Sequence, residues 1–321
     1  MIKEAGLYLD IPEKTYHGAG LTPAPPLSSS IAKVLINQSP GHAWWEHVDL
    51  NKSKALEVEH STKTQGMGTA IHKLILGKGR PLKVLNFDDY KTKAAREARD
   101  AAVADGATPL LGKEMDRAEV VAEAAKRRLA DSPIAHLIGE DKGDAEVTGI
   151  WQEANGIWCK MRVDWLPHAA REGGHITVLD LKTTGQSARA DDWSRTMFDF
   201  GGDVQDALYR RGIKKLIPEA RSIDFVFVVV EQDEPCAVQL CRSSGETREL
   251  AQGSVALAIE TWGQCLSRGT ALEHWPFYEG EIADIDPPVW RSMASELAQL
   301  RMKNRLAHWQ RPLDADTSKA A

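Results

Sequence analysis

The sequence predicts an α/β fold, a central mixed β-sheet flanked by helices, on three observations. First, Asp144–Thr184 (DAEVTGIWQEANGIWCKMRVDWLPHAAREGGHITVLDLKTT) alternates apolar and polar residues with a period of two between turn-forming clusters, and so reads as three consecutive strands. Second, IDFVFVVVEQ at 223–232 is almost continuously apolar and rich in Val and Phe, as expected of a strand covered on both faces. Third, the flanking segments repeat apolar residues at helical spacing among good helix formers.

Taken in order, residues 1–26 end in the Pro-rich LTPAPP and read as an extended N-terminal arm ahead of a domain at 27–286. Ser28–Ser30 supply N-cap residues for a helix carrying Ile31, Val34 and Leu35. They are either caps alone or, with the free N–H groups of a helix start, a phosphate cradle. In QGMGTAIHKLILGKG, Gly66 and Gly68 loosen the entry to a helix whose apolar stripe holds Ile71, Leu74 and Ile75, and Gly77 and Gly79 end it. His72 lies beside that stripe, where an isolated histidine is more often a satisfied core residue than a ligand. Lys91–Leu137 reads as helical and strongly charged; Lys126-Arg127-Arg128 within it is either a solvated face or a phosphate contact.

In the three-strand unit, Asn155-Gly156 makes the first turn and Pro167–Gly174 the second. Trp158, Lys160, Arg162 and Asp164 share one face of the middle strand, and Cys159, Met161, Val163 and Trp165 the other. A two-residue Asn155-Gly156 loop would set Asp164 opposite Val147. Burying Val147 and Trp151 with Val163 and Trp165 instead requires partners whose numbers add to an even total, which a type I turn with Gly156 in a G1 bulge delivers. That register puts Glu146 on the face of Asp164.

Beyond these strands, ARADDWSRTMFDFG and DVQDALYRRGIKKLI read as helices, CAVQLCR as a hairpin partner for the apolar strand, and Thr247–Leu266 as a long helix. The stretch 287–321 holds an amphipathic helix (VWRSMASELAQLRMKNRL) and a polar, disordered tail.

The 321 residues carry a net charge of −6, which excludes a generic basic nucleic-acid binder but leaves room for a local basic groove. No apolar run approaches the roughly 20 residues that span a bilayer, and the opening residues lack a signal-peptide pattern, so the expected setting is the cytoplasm without membrane contact. The four cysteines form no CxxC pair, so buried free thiols are expected rather than a zinc or iron–sulfur centre.

The chemistry concentrates on Asp164 and on Asp180-Leu181-Lys182, sixteen positions later. Carboxylates converging on one sheet face repel each other unless a cation is held between them. Hydrolysis of a phosphodiester needs such a cation, because charge builds on the non-bridging oxygens and on the leaving alkoxide. The lysine can hold and help deprotonate the attacking water, and the Leu181 carbonyl can offer a further oxygen. A plain Asp180–Lys182 salt bridge is the structural alternative. Gln205 and Tyr209, four apart, share a helix face, and Arg210, Arg211, Lys214 and Lys215 follow. On that spacing Arg211 and Lys214 are candidate DNA-phosphate contacts, with Arg162 beside Asp164 as another.

These segments, in order (YHGAG, LSSSIAKVLINQSPGHAWW, GTAIHKLIL, the hairpin with RVDW, LDLKTT and Gln205-x-x-x-Tyr209), resemble the C-terminal nuclease domain of exonuclease VIII (RecE-type) proteins in the PD-(D/E)xK superfamily, over roughly residues 14–270. The resemblance implies that His72, Asp164 and Asp180 bind metal, Lys182 is catalytic, Gln205 and Tyr209 line the site and contact DNA, and Ser28 or Ser30 belongs to a phosphate pocket. Glu146 joins as an outer acid. It further implies an Mg²⁺-dependent exonuclease, with Mn²⁺ able to substitute, acting 5′-to-3′ on double-stranded DNA ends and releasing 5′-mononucleotides. A single-strand annealing protein as partner and a ring-shaped homo-oligomer complete the expectation. The alternatives are a RecB-like nuclease of other polarity, an endonuclease, or a non-catalytic DNA-binding assembly module.

Overall fold

The computed structural model describes residues 1–55, 63–139, 141–278, 282 and 284–309. It divides into two units, Met1–Phe277 and Tyr278–Ala321. In the first, the elements run β1 (Gly6–Tyr8), α1 (Glu13–His17), α2 (Ser29–Asn37), α3 (Pro40–Glu46), α4 (Lys52–Ala55), α5 (Lys63–Leu76) and β2 (Leu82–Leu85). There follow α6 (Lys93–Ala104), β3 (Thr108–Leu111), α7 (Gly112–Ala130), β4 (Gly143–Gln152), β5 (Trp158–Pro167) and β6 (Gly174–Thr184). The unit closes with α8 (Ala190–Phe200), α9 (Gly202–Leu216), β7 (Ala220–Glu231), β8 (Val238–Cys241) and α10 (Gly245–Arg268). The second unit holds α11 (Val289–Trp309).

Six strands form one mixed sheet in the order β1-β4-β5-β6-β7-β8. The β6–β7 pair is parallel and the other pairs are antiparallel. The parallel crossover from β6 runs through α8 and α9, as a parallel pair requires. Strand β7 is apolar on both faces because both are covered. Phe225, Phe227 and Val229 pack toward α8, α9 and α10, whereas Val228 and Val230 pack toward α5 and α7. No described helix is long and apolar enough to cross a membrane.

The β4–β5 hairpin has the even register: Val147 faces Val163 and Gln152 faces Trp158. Gly156 has φ +84° and its N–H donates to the Glu153 carbonyl, the type I turn with a left-handed glycine that this register needs.

Three expectations are corrected. The N-terminal 26 residues are not a free arm, because β1 pairs with β4 and Tyr16 and Leu21 are buried against Ile150 and Trp158. The charged stretch after Lys91 is not all helix: β3 interrupts it and pairs in parallel with β2, a two-stranded sheet too short to show periodicity. Finally, Val163 and Trp165 do not share a face, and neither do Ala145 and Val147. In each pair one residue enters the core under α9 and the other the core under α5 and α7. The alternation breaks where Glu146 adopts φ +57°, a left-handed conformation rare for a residue with a side chain. The polar C-terminal tail, residues 310–321, lies outside the described residues.

Candidate active site

The site occupies the opening between β5 and β6. These strands are paired at Trp165 and Leu179, and continuing that register sets Asp164 opposite Asp180. Where the ladder opens, the Leu181 N–H donates to Asp164 Oδ2 at 2.8 Å, so a side chain completes the backbone's hydrogen bonding and is fixed by it. A cavity of about 510 Å³ lies over this opening, lined by His72, Glu146, Arg162, Asp164, Asp180, Leu181, Lys182, Gln205 and Tyr209 among others.

His72, Glu146 and Asp164 each offer a ligand atom, and these atoms lie within 4.8 Å of one another. His72 Nδ1 is 3.8 Å from Asp164 Oδ2. Glu146 reaches the group through the left-handed bend in β4, and His72 reaches it because α5 packs close to β6. Gly68, one turn before His72, permits that approach: a Cβ there would stand 3.0 Å from Thr183 Oγ1. Two carboxylates and an imidazole converging on a water-sized space suit a divalent cation that accepts oxygen and nitrogen, such as Mn²⁺ or Mg²⁺. The residues fit the group. Asp180 stands beside this trio rather than within it, with Oδ2 ion-paired to Lys182 and Oδ1 accepting from Gln205 Nε2 at 2.7 Å.

Burial raises the pKa of Asp164 to about 6, Lys182 opposing the shift and Glu146 adding to it. Burial raises Asp180 likewise to about 6, against Lys182 and with Asp164. Burial alone would lower Lys182, but Asp180 and Asp164 outweigh it, so the ammonium is held more firmly than usual. Burial and Lys182 together lower His72, keeping the imidazole neutral and free to ligate.

The remaining expected residues separate into two groups. Ser28 and Ser30 line the cavity, their hydroxyls 3.0 Å apart, because Leu27 forms a bridge with Cys159 that lays the start of α2 along β5. Tyr209 lines the cavity, its hydroxyl accepting from the Arg162 N–H at 3.3 Å and bonded to Tyr16. Burial pushes that phenol up to about 12. Arg162 is a strut rather than a free cation: it pairs with Glu146, donates to the Ile11 carbonyl at 3.2 Å and stacks 5.3 Å from the Tyr16 ring centre.

Arg211 and Lys214 are not at this cavity. They line a separate one of about 520 Å³ between α9, β7 and α10. Arg211 holds the buried Glu153 through two hydrogen bonds of 2.7 and 2.9 Å, and Lys214 donates to the Pro218 and Ala220 carbonyls at the end of α9. A helix face read from sequence spans both sides of α9, and carboxylate partners from other elements decide which cations remain available. Arg211→Ala is therefore expected to lower stability by about 1–3 kcal/mol, because a buried carboxylate loses its main partner. Urea denaturation reads this directly, and an unchanged midpoint would contradict it.

Sequence reasoning missed Tyr16, His47 and Lys160. Lys160 Nζ donates to the Tyr16 carbonyl at 2.8 Å and stands 4.8 Å from its ring centre, and burial draws its pKa down to about 8. Burial draws His47 down to about 4; its Nδ1 accepts from the Asp49 N–H at 3.2 Å, leaving Nε2–H for the Pro26 carbonyl at 3.0 Å. Lys160 carried a signal, since it alternates onto the face of Arg162. Tyr16 stands in the YHGAG segment of the resemblance, which gave it no role, and His47 carried no signal because it comes from a segment with no strand periodicity.

Solved structures similar to the chain include a "putative exonuclease" from Eubacterium rectale (10% identity, 83% of this chain and 91% of that one, TM-score 0.49) and a phage-related exonuclease from Haemophilus somnus (14% identity, 62% and 94%, TM-score 0.27). At these scores neither likeness carries an argument about fold or activity. No curated protein matches the chain by sequence. Residues 46–286 match the family described as "PDDEXK-like domain of unknown function (DUF3799)", a span containing His72, Glu146, Asp164, Asp180 and Lys182. The chain belongs to this PDDEXK-like family.

Proposed function

We propose that the chain is a divalent-metal-dependent nuclease, specifically an exonuclease that degrades double-stranded DNA from its ends. The observation that carries the reading is the His72, Glu146 and Asp164 donor set beside the Asp180–Lys182 pair in one cavity. Nothing in the packing requires three acids, a neutral imidazole and a strongly held ammonium to meet there, and their repulsion and desolvation are costs to the fold.

His72, Glu146 and Asp164 would hold a divalent cation, which when bound would supply Lewis-acid stabilisation of the phosphodiester and of the leaving alkoxide. Lys182, whose charged form Asp180 and Asp164 favour, is placed to donate to a phosphate oxygen or to the attacking water. Gln205 fixes the Asp180 carboxylate through its 2.7 Å hydrogen bond, which keeps the Lys182 ammonium over the site. Tyr209 anchors β5 at Arg162. Ser28 and Ser30 at the start of α2, with Lys160 across the cavity, suit a terminal phosphate.

The sequence resemblance to RecE-type nucleases supports the finer reading: Mg²⁺ as the working ion, 5′-to-3′ polarity, release of 5′-mononucleotides, a ring-shaped homo-oligomer, and service beside a single-strand annealing protein in phage-type recombination in the cytoplasm. Linear duplexes labelled at the 5′ or the 3′ end, digested alongside covalently closed circles, test it. The expected result is early release of the 5′ label as mononucleotide with the circle intact. Cleavage of the circle, or early loss of the 3′ label, would overturn the end-specific 5′-to-3′ reading.

A further inference from the structure

The N-terminal segment reaches the metal donors through one side chain. Lys160 and Arg162 alternate onto the same face of β5, and the buried Tyr16 stands against both. Its ring centre is 4.8 Å from Lys160 Nζ and 5.3 Å from the Arg162 guanidinium, within the range of cation–π attraction. Its carbonyl accepts from Lys160 Nζ at 2.8 Å, and its hydroxyl is bonded to Tyr209. A tyrosine buried for its apolar area alone would need a partner for its hydroxyl but no pair of cations on its ring. Tyr16 and Ile11 both precede residues 46–286, the span that the family covers.

These contacts converge on Glu146. Arg162 donates through Nε to the Glu146 carboxylate and through Nη2 to the Ile11 carbonyl at 3.2 Å. Its Nη1 is buried without a hydrogen-bond partner, so the orientation of the guanidinium rests on Glu146, Ile11 and the face of Tyr16. Glu146 in turn has φ +57°, a conformation that a residue with a side chain keeps only where its surroundings hold it. The Arg162 guanidinium is the cation paired with its carboxylate. We infer that Tyr16 is a positioning residue for the metal site: it fixes Arg162, Arg162 fixes Glu146, and the N-terminal segment thereby completes the donor trio. The inference rests on the metal-binding part of the nuclease reading and extends it to a residue that touches neither the cation nor the substrate.

The test is a Mn²⁺ titration of the full-length chain without DNA, read by the spin-resonance signal of free Mn²⁺, with thermal denaturation in EDTA to check each fold. Tyr16→Leu keeps the backbone carbonyl and removes the ring. It is expected to weaken Mn²⁺ binding about tenfold, at the lower end of the cost of losing a group that holds a metal-ligating side chain. Should Tyr16→Leu fail to fold, Tyr16→Met, whose flexible side chain fills the same space, takes its place. Tyr16→Phe keeps the ring face and loses only the hydroxyl, so its affinity should stay within about twofold of the unaltered chain. Arg162→Lys keeps the charge but loses the fork, and should also cost about tenfold. Combining it with Tyr16→Leu should add little, because both act through one guanidinium. No Mn²⁺ binding by the unaltered chain would remove the metal reading and this inference with it. Undiminished affinity in a folded Tyr16→Leu, an equal loss in Tyr16→Phe, or fully additive losses in the double variant would overturn the inference alone.

Discussion

Asp180→Asn and Lys182→Ala are each expected to abolish digestion of linear duplex DNA, by about 10³-fold or more, while the protein stays folded. Removing one electrostatic partner of a transition state costs about 10²–10³-fold, and here each change also disturbs its neighbour. Asp180 and Lys182 are ion-paired, and Asp180 stands opposite Asp164 across the sheet opening. Asparagine keeps the hydrogen bond from Gln205 and the shape of the side chain, so loss of the charge is what the variant reports. Folding is expected to survive because the two core clusters on either side of the sheet contain neither residue. Thermal denaturation checks the fold and nucleotide release checks the chemistry. A well-folded variant that digests at the unaltered rate would remove Asp180 or Lys182 from the reaction.

The second large effect is a pH-dependent gain in stability with divalent cations, lost in Asp164→Asn. Asp164 and Asp180 have folded-state pKa values of about 6, above the ordinary carboxylate value of about 4. Folding therefore favours their protonated forms. Their contribution to stability is complete below about pH 4 and is lost as pH rises through about 6, so the metal-free protein bears the cost at pH 7.5. That cost is on the order of 1–3 kcal/mol for each acid, from about 1.4 kcal/mol per pKa unit. A bound cation offsets it, and a cation at about 100 times its Kd adds roughly 2.7 kcal/mol. The melting temperature should rise by several degrees with Mn²⁺ or Mg²⁺ at pH 7.5, and by much less at pH 5, where protons compete. Asp164→Asn should melt no lower than the unaltered chain in EDTA and gain nothing from the cation. An equal gain at both pH values, or an undiminished gain in the variant, would contradict the metal assignment.

Much of this was legible in the sequence, for reasons that particular residues make clear. The β4–β5 register followed from the need to bury Val147, Trp151 and Val163 together, and the Glu153–Gly156 turn adopts the conformation that need imposes. Asp164, Asp180 and Lys182 were readable because β-strands place alternate residues on one face. The break at Glu146 was not, since a left-handed bend in the interior of a strand has no sequence signature when the residue is not glycine. That Arg211 and Lys214 line a second cavity was not legible either, for another reason. Their partners, Glu153 in the hairpin turn and the carbonyls of Pro218 and Ala220, are brought in by tertiary contacts that helical spacing cannot see. The N-terminal residues look like an arm in sequence because β1 is three residues long, too short to alternate.

The central claim is that this cavity hydrolyses DNA with a bound divalent cation, and nucleotide release from linear duplex by the unaltered protein tests it most directly. Release of acid-soluble nucleotide in Mg²⁺, its arrest by EDTA and its absence in an equally folded Lys182→Ala preparation are the expected results. Release that persists in EDTA, or equal release by Lys182→Ala, would contradict the account.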